Sequence, residues 1–256
     1  YDRIRDALWQ ALDENEFTRA ALENLARRFT VCPFELGLDL SLWCDVIVGD
    51  YNYLFDPVVS LKRFFESGGD YLFLVDEAHN LPDRAREMHS ASLLKSQVLE
   101  ARKALGKSKS KLKTALGKLN DEFVELRRQC DEAENRTFFE KEARTGLNRV
   151  ISRVTGPMEE WLTEHREGTA HDLILALYFG LRGYLRVAER YDDHYVTQMA
   201  AFGTDVRISQ LCLDPSAFLD QSFSSGRGAV LFSATLSPMD YYRDILGCAE
   251  ARCAAL

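Results

Sequence analysis

The sequence predicts an α/β protein in which a parallel sheet is interrupted by an all-helical insertion and then resumed. Three observations carry this. Strand, helix and strand follow one another within roughly thirty residues, from Asp45-Val46-Ile47-Val48 through Pro57–Glu66 to Tyr71-Leu72-Phe73-Leu74-Val75. A second buried run, Gly228-Ala229-Val230-Leu231-Phe232, comes much later. Between them, from about Ser90 to Met199, helical periodicity dominates and only one proline, Pro157, occurs.

The elements in order begin with two amphipathic helices. Ile4, Leu8, Ala11 and Leu12 share one face, and a second stripe runs Phe17, Ala21, Leu25, Phe29 after the polar Asp13–Asn15 break. Cys32-Pro33 stops that pattern, because proline disfavours helix in the residue before it. The β-branched Asp45–Val48 strand leads into a polar aromatic turn, Gly49-Asp50-Tyr51-Asn52-Tyr53. The Pro57–Glu66 helix ends at Ser67-Gly68-Gly69-Asp70, with glycine where a helix C-terminus favours it. The insertion reads as three to five helices, on stripes such as Leu112, Leu116, Leu119, Phe123, Leu126 and on Leu173–Tyr191. Strand character returns at Val206–Leu213, and Asp214-Pro215-Ser216 starts a helix.

Tyr71–Val75 runs straight into Asp76-Glu77-Ala78-His79. A buried strand that ends in adjacent carboxylates is a way to hold magnesium beside a nucleotide, the first acid on the metal and the second on the attacking water. A bare acidic loop after a core strand is the competing explanation, which the full four-residue string disfavours.

Composition bounds the function classes. The 256 residues carry 32 Lys and Arg against 40 Asp and Glu, a net charge of −8, which argues against uniform coating of nucleic acid but allows a local basic track. No apolar run reaches membrane-spanning length, and Tyr1–Asp6 is no signal peptide. The chain lacks an initiator methionine, so an excised piece of a longer protein is expected. Six cysteines without a CxxC pair imply reduced thiols in the cytoplasm and no self-contained zinc site. His165 and His171 lack ligand neighbours at metal spacing.

The motifs together resemble the superfamily 2 DNA helicases of the XPD/DinG type. The matching residues are Cys32-Pro33-Phe34-Glu35, Val46 to Pro57, Asp76-Glu77-Ala78-His79-Asn80-Leu81 and Ser233-Ala234-Thr235-Leu236-Ser237-Pro238, in the family's order. The resemblance implies a RecA-like parallel sheet with a large helical arch inserted. It divides the chain into a helical segment at 1–31 bordering the iron–sulphur region, motor domain 1 at 32–89 and 206–256, and the arch at 90–205.

Roles follow from the same resemblance. Asp76 would hold the magnesium of ATP, and Glu77 would be the catalytic base towards water. His79 would link the nucleotide site to moving parts, and Ser233 and Thr235 would relay the nucleotide state. Cys32 would supply one of four ligands to a 4Fe–4S cluster; no other cysteine precedes it here, so its partners must lie upstream or be absent. Tyr51, Asn52 and Tyr53 would approach single-stranded DNA, where aromatic faces stack without sequence preference; packing under the sheet is an equal reading for both tyrosines.

In residues 95–118, eight cations including Lys107, Lys109, Lys111 and Lys113 face one acid, Glu100. This stretch is either a phosphate track or a solvated hairpin around the flexible Gly106–Ser110, and the solvated reading is slightly favoured. Tyr178, Phe179, Tyr184, Tyr191 and Tyr195 read as core. No Gly-x-x-x-x-Gly-Lys-Ser/Thr phosphate loop occurs anywhere, and a second motor domain is missing. The expectation is therefore part of an ATP-dependent helicase, monomeric and nucleoid-associated in a bacterium, with ATP and single-stranded DNA as partners of the whole protein. The piece itself would be inactive, with a non-catalytic DNA- or protein-interaction module as the alternative.

Overall fold

The computed structural model describes residues 2–14, 17–66, 68–107 and 110–254. The chain forms two compact units, residues 1–50 and 51–256.

The first unit is three helices. α1 (Asp2–Ala11) and α2 (Arg19–Phe29) follow the two predicted stripes. Thr18 caps α2 through its hydroxyl, which accepts from the Ala21 amide, and Thr30 turns left-handed (φ 53°) to close it. Pro33 does not simply stop the helical pattern. It opens a third helix, α3 (Pro33–Ser41), with Cys32 as N-cap, because a proline at the first helical position has no amide to satisfy. Ala7, Ala11, Leu25, Ala26, Leu36 and Leu40 form the shared core.

The predicted strand over Asp45–Val48 does not form. The segment pairs with no other strand among the described residues, and Val46 and Val48 are 78% and 94% exposed. β-branched residues favour an extended chain, but a strand needs a neighbour to take its backbone bonds.

The second unit begins with α4 (Asn52–Phe55), one turn that ends at Asp56 before Pro57. The helix expected over Pro57–Glu66 shrinks to α5 (Lys62–Phe65). The Asp56 carboxylate accepts from the amides of Val58 and Val59 at 2.7 and 3.0 Å, holding that backbone in a turn instead. β1 (Leu72–Val75) then pairs in parallel with β6 (Gly228–Leu231), Leu72 opposite Gly228 and Val75 opposite Leu231. The parallel pairing agrees with the sequence. The full burial expected of Tyr71–Val75 does not: Leu72 and Leu74 are 64% and 67% exposed, because the two-stranded sheet is covered on one face only.

After β1 a 3-10 turn (Ala78–Asn80) leads into α6 (Leu81–Met88). The insertion follows as β2 (Ala91–Leu94), α7 (Lys95–Ala104), α8 (Lys111–Glu132), β3 (Thr137–Glu140), α9 (Thr145–Glu164), α10 (Thr169–Glu189), β4 (Tyr195–Phe202) and β5 (Asp205–Cys212). α11 (Ser216–Phe223) precedes β6, and α12 (Met239–Ile245) follows it. The Asp214 carboxylate accepts from the Ser216 amide at the start of α11, the turn expected there.

The insertion is not all-helical. β2, β5, β4 and β3 form a four-stranded antiparallel sheet, with its helices packed on it. The strand at 206–213, read from the sequence as the resumed parallel sheet, is β5 of this sheet and crosses the expected boundary at 205/206. β4 shows no clean apolar–polar alternation, since its buried residues include the polar Thr197 and the apolar Val196 stands among those between them. β2 and β3 are four residues each, too short for a periodicity. The four helices α7 to α10 match the expected stripes, with Leu112, Leu116, Leu119, Phe123, Ile151, Ile174 and Leu181 in one core. A second core of Phe55, Val75, Ala78, Leu81, Leu219, Phe223 and Leu246 supports the parallel sheet.

Candidate functional site

Parallel pairing brings the C-terminal ends of β1 and β6 side by side. The ladder continues one step beyond the strands, the Phe232 amide donating to the Val75 carbonyl at 3.0 Å and the Ala78 amide to the Phe232 carbonyl at 3.1 Å. Asp76-Glu77 and Ser233-Ala234-Thr235 therefore emerge together, although more than 150 residues separate them.

The acid loop is tightly shaped. Glu77 adopts a left-handed conformation (φ 48°, ψ 40°), rare for a residue with a Cβ. Its amide donates to the Asp76 carboxylate at 2.7 Å, and the Tyr51 phenol reaches the Glu77 carbonyl at 3.0 Å and also the Asp76 carbonyl. These bonds offset the strain and aim the Glu77 side chain across to β6.

There His79 Nδ1 lies 2.7 Å from the Ser233 hydroxyl and 3.2 Å from the Glu77 carboxylate. Ser233 donates to Glu77 at 3.3 Å or bonds the Thr235 hydroxyl at 3.5 Å, and accepts from the Thr235 amide. Glu77, His79, Ser233 and Thr235 thus form one hydrogen-bonded set, with Asp76 and Glu77 open to solvent. Such a set can hold a water against a carboxylate and sense the position of the neighbouring strand end.

The residues fit a magnesium ion held as nucleotide sites hold it. That ion keeps several waters and takes one or two carboxylates plus phosphate oxygens, and Asp76 offers a solvent-facing carboxylate. Among the described residues no cluster of three or more His, Cys, Asp or Glu is arranged to hold a metal without such help. Cys32 is exposed at the N-cap of α3, and among the described residues no four-cysteine cluster forms around it.

The remaining candidates fall elsewhere. Tyr51 is half-buried with its ring edge-on to Phe55 at 6.2 Å, and its hydroxyl anchors the acid loop. Asn52 and Tyr53 are half-buried in α4. Lys107 and Lys111 are exposed at the α7–α8 turn, and the Lys113 ammonium donates to the Gly106 carbonyl. Lys109 lies outside the described residues. The structure supports the core reading of Tyr184 and Tyr195, both buried, whereas Phe179 is 63% exposed.

Sequence reasoning missed a polar seam where the insertion leaves and rejoins the parallel sheet. Arg86 donates to the Leu213 carbonyl at 3.0 Å, the Asp83 carboxylate at 2.6 Å and the Tyr241 hydroxyl at 3.3 Å. The Ser90 hydroxyl donates to the Arg86 carbonyl and accepts from the Cys212 amide. Beside it His89 is buried and stacked on Phe218, ring centres 4.0 Å apart. The local sequence does not mark this seam, because the contacts that tie it across, to Leu213, Tyr241, Cys212 and Phe218, lie more than a hundred positions away.

Part of the chain is similar to known proteins. Residues 4–98 match the DEAD_2 family. The Fanconi anemia group J protein homolog of Gallus gallus is 36% identical over 84 residues, 33% of this chain and 7% of that protein. The general transcription and DNA repair factor IIH helicase subunit XPD of Schizosaccharomyces pombe is 27% identical over 134 residues, 51% of this chain and 16% of that protein. The regulator of telomere elongation helicase 1 homolog of Anopheles gambiae is 34% identical over 77 residues, 30% of this chain and 8% of that protein. The chain thus spans less than a fifth of the length of these relatives. No helix among the described residues is long and apolar enough to cross a membrane. Over residues 4–98 the chain is similar to the DEAD_2 family, and two of its partial relatives, the XPD subunit and the telomere elongation regulator, are helicases by name.

Proposed function

We propose that this chain is part of the first motor domain, with its arch insertion, of an ATP-dependent helicase that translocates on single-stranded DNA in repair or recombination. The observation that carries the reading is the convergence of Glu77, His79 and Ser233 at the ends of two adjacent parallel strands. In it Asp76 would hold the magnesium of ATP, Glu77 would take the proton of the attacking water, and His79 with Ser233 and Thr235 would pass the nucleotide state to the rest of the motor. Magnesium would supply charge neutralisation of the phosphates. Tyr51, Asn52 and Tyr53 border the DNA path, and Lys107, Lys109, Lys111 and Lys113 offer phosphate contacts at the arch. Cys32 would supply one ligand if the whole protein holds a 4Fe–4S cluster.

By itself the chain is a binding module without hydrolysis, since none of its 256 residues forms a phosphate-loop motif to cradle ATP. The test has two arms. In a longer protein that contains this segment and hydrolyses ATP, Glu77→Gln should lower turnover by about 10²–10⁴-fold with ATP still bound. Calorimetry on the 256-residue chain should show no stoichiometric ATP binding at low micromolar concentration. Undiminished turnover in the first arm would reject Glu77 as the base.

A further inference from the structure

A second functional surface lies on α10, away from the acid loop. A cavity of about 150 Å³ opens between α10, the end of α6 and the start of β2. Its walls include His89, Ser90, Gly183, Arg186, Arg190 and Tyr195, and no carboxylate lines it. Arg186 sits on the last turn of α10 and Arg190 at its C-cap, four residues on. Four residues rise about 6 Å along a helix, so the two guanidinium groups share one face, and Arg182 continues it one turn earlier.

None of these three arginines has a carboxylate within ion-pair distance among the described residues. No ion pair among the described residues joins them to Glu189, which stands next to Arg190 and three residues on from Arg186. Asp56 accepts from the amides of Val58 and Val59, and Asp192 accepts from His194. On α8 and its neighbours Arg127, Arg128, Arg136 and Arg144 do pair with Asp or Glu. Burial, and after it the charge of Arg190, push the His89 imidazole down to about 4, while Asp56 and the Phe55 carbonyl act the other way. Gly183 keeps the mouth clear, since a Cβ there would meet nothing within 4 Å.

Paired arginines with no ion-pair partner, in a half-enclosed cavity that no carboxylate lines, suit an anion with several acceptor oxygens. The continuation to Arg182, outside the cavity, favours a repeating anion over an isolated one. We propose that Arg186 and Arg190 hold successive backbone phosphates of single-stranded DNA at the junction of the insertion and the parallel-sheet region, with Arg182 extending the track. This rests on the helicase reading for its ligand, not for its geometry.

Fluorescence anisotropy of a labelled oligo(dT) with the 256-residue chain, across a salt series, tests it. Arg186→Glu with Arg190→Glu should weaken binding at low salt at least tenfold and flatten the logarithmic salt slope by about 1.4, the release expected for two phosphates of a single strand. Arg186→Lys with Arg190→Lys should keep most of the slope. Gly183→Leu adds bulk at the mouth without changing charge, favours the helix, and should weaken binding severalfold.

Wild-type affinity and slope in both the glutamate pair and the leucine variant would overturn the proposal while leaving the helicase reading in place. So would an absence of oligo(dT) binding by the wild-type chain. If inorganic phosphate raises the melting temperature of the wild type but not of the glutamate pair, and oligo(dT) binds both equally, the cavity is a free-anion site and the DNA assignment fails. Glu77→Gln in the longer protein reads the nucleotide site independently of all these outcomes.

Discussion

The imidazole of His79 and the hydroxyl of Ser233 lie 2.7 Å apart although 154 positions separate them. The whole insertion is looped out between these two atoms. The bond therefore reports whether the strand ends are assembled, and it links the carboxylate that meets water to the segment that follows β6.

Removing the serine hydroxyl isolates that link. Ser233→Ala should move the His79 Nδ1 resonance in nitrogen-detected NMR of the ring and cost no more than about 1 kcal/mol of stability, since the pair is partly exposed. An unmoved resonance would show that the bond is not populated in solution.

Gly247 closes α12 against α11 with φ +69°, and a Cβ there would meet the Ser216 carbonyl at 2.3 Å and the Asp220 side chain at 3.0 Å. Both the backbone conformation and the space exclude a side chain. Gly247→Ala should destabilise the fold by about 1–3 kcal/mol in urea titration, an effect that Gly146→Ala, with open space and ordinary backbone, should not share.

His89 makes stability depend on pH. Its ring is stacked on Phe218, near Arg190, which disfavours the charged form, and near Asp56 and the Phe55 carbonyl, which favour it. Burial is the largest influence and holds the folded-state value at about 4 against 6.5 when unfolded. The unfolded chain thus binds the proton first, so this contribution is complete above pH 6.5 and is lost as pH falls towards 4. It amounts to about 3 kcal/mol at most. The slope between pH 6.5 and 4 should shrink in His89→Gln, and an unchanged slope would assign acid sensitivity to other groups.

The lysine turn offers a direct comparison with the arginine face. Charge reversal at Lys107 and Lys111 should lower oligo(dT) affinity severalfold and reduce the salt slope if the turn meets phosphate. Unchanged anisotropy would leave these lysines as a solvated end of two helices, with Lys113 fixing the turn through Gly106.

Within the insertion the core should behave as one unit. Phe123 is fully buried on α8 in the cluster that includes Met199 of β4 and Ile208 of β5. Phe123→Ala should cost about 3–5 kcal/mol and melt helix and sheet signals together by circular dichroism. Separate transitions would mean that the helices and the sheet fold independently.

Much of this was legible in the chain. The stripes of α1, α2 and α7–α10 are local, because each helix must bury a face whose spacing the sequence displays. The string Asp76–His79 and the segment Ser233–Thr235 could also be read directly, since short runs of residues carry their chemistry. Other features depend on partners the local sequence does not name. Val46–Val48 have strand composition but no strand beside them. β2 to β5 form a sheet because hydrogen bonds across distant segments complete it. For Tyr51 the sequence leaves base stacking and packing under the sheet equally open, and the fold sets its hydroxyl against the acid loop. Arg186 and Arg190 share a helix face by spacing alone, but only packing left them facing a cavity without a carboxylate. The sequence by itself determined which residues can do the chemistry. Tertiary structure decided which of them meet, because backbone pairing, burial and charge compensation are settled by neighbours far away in the chain.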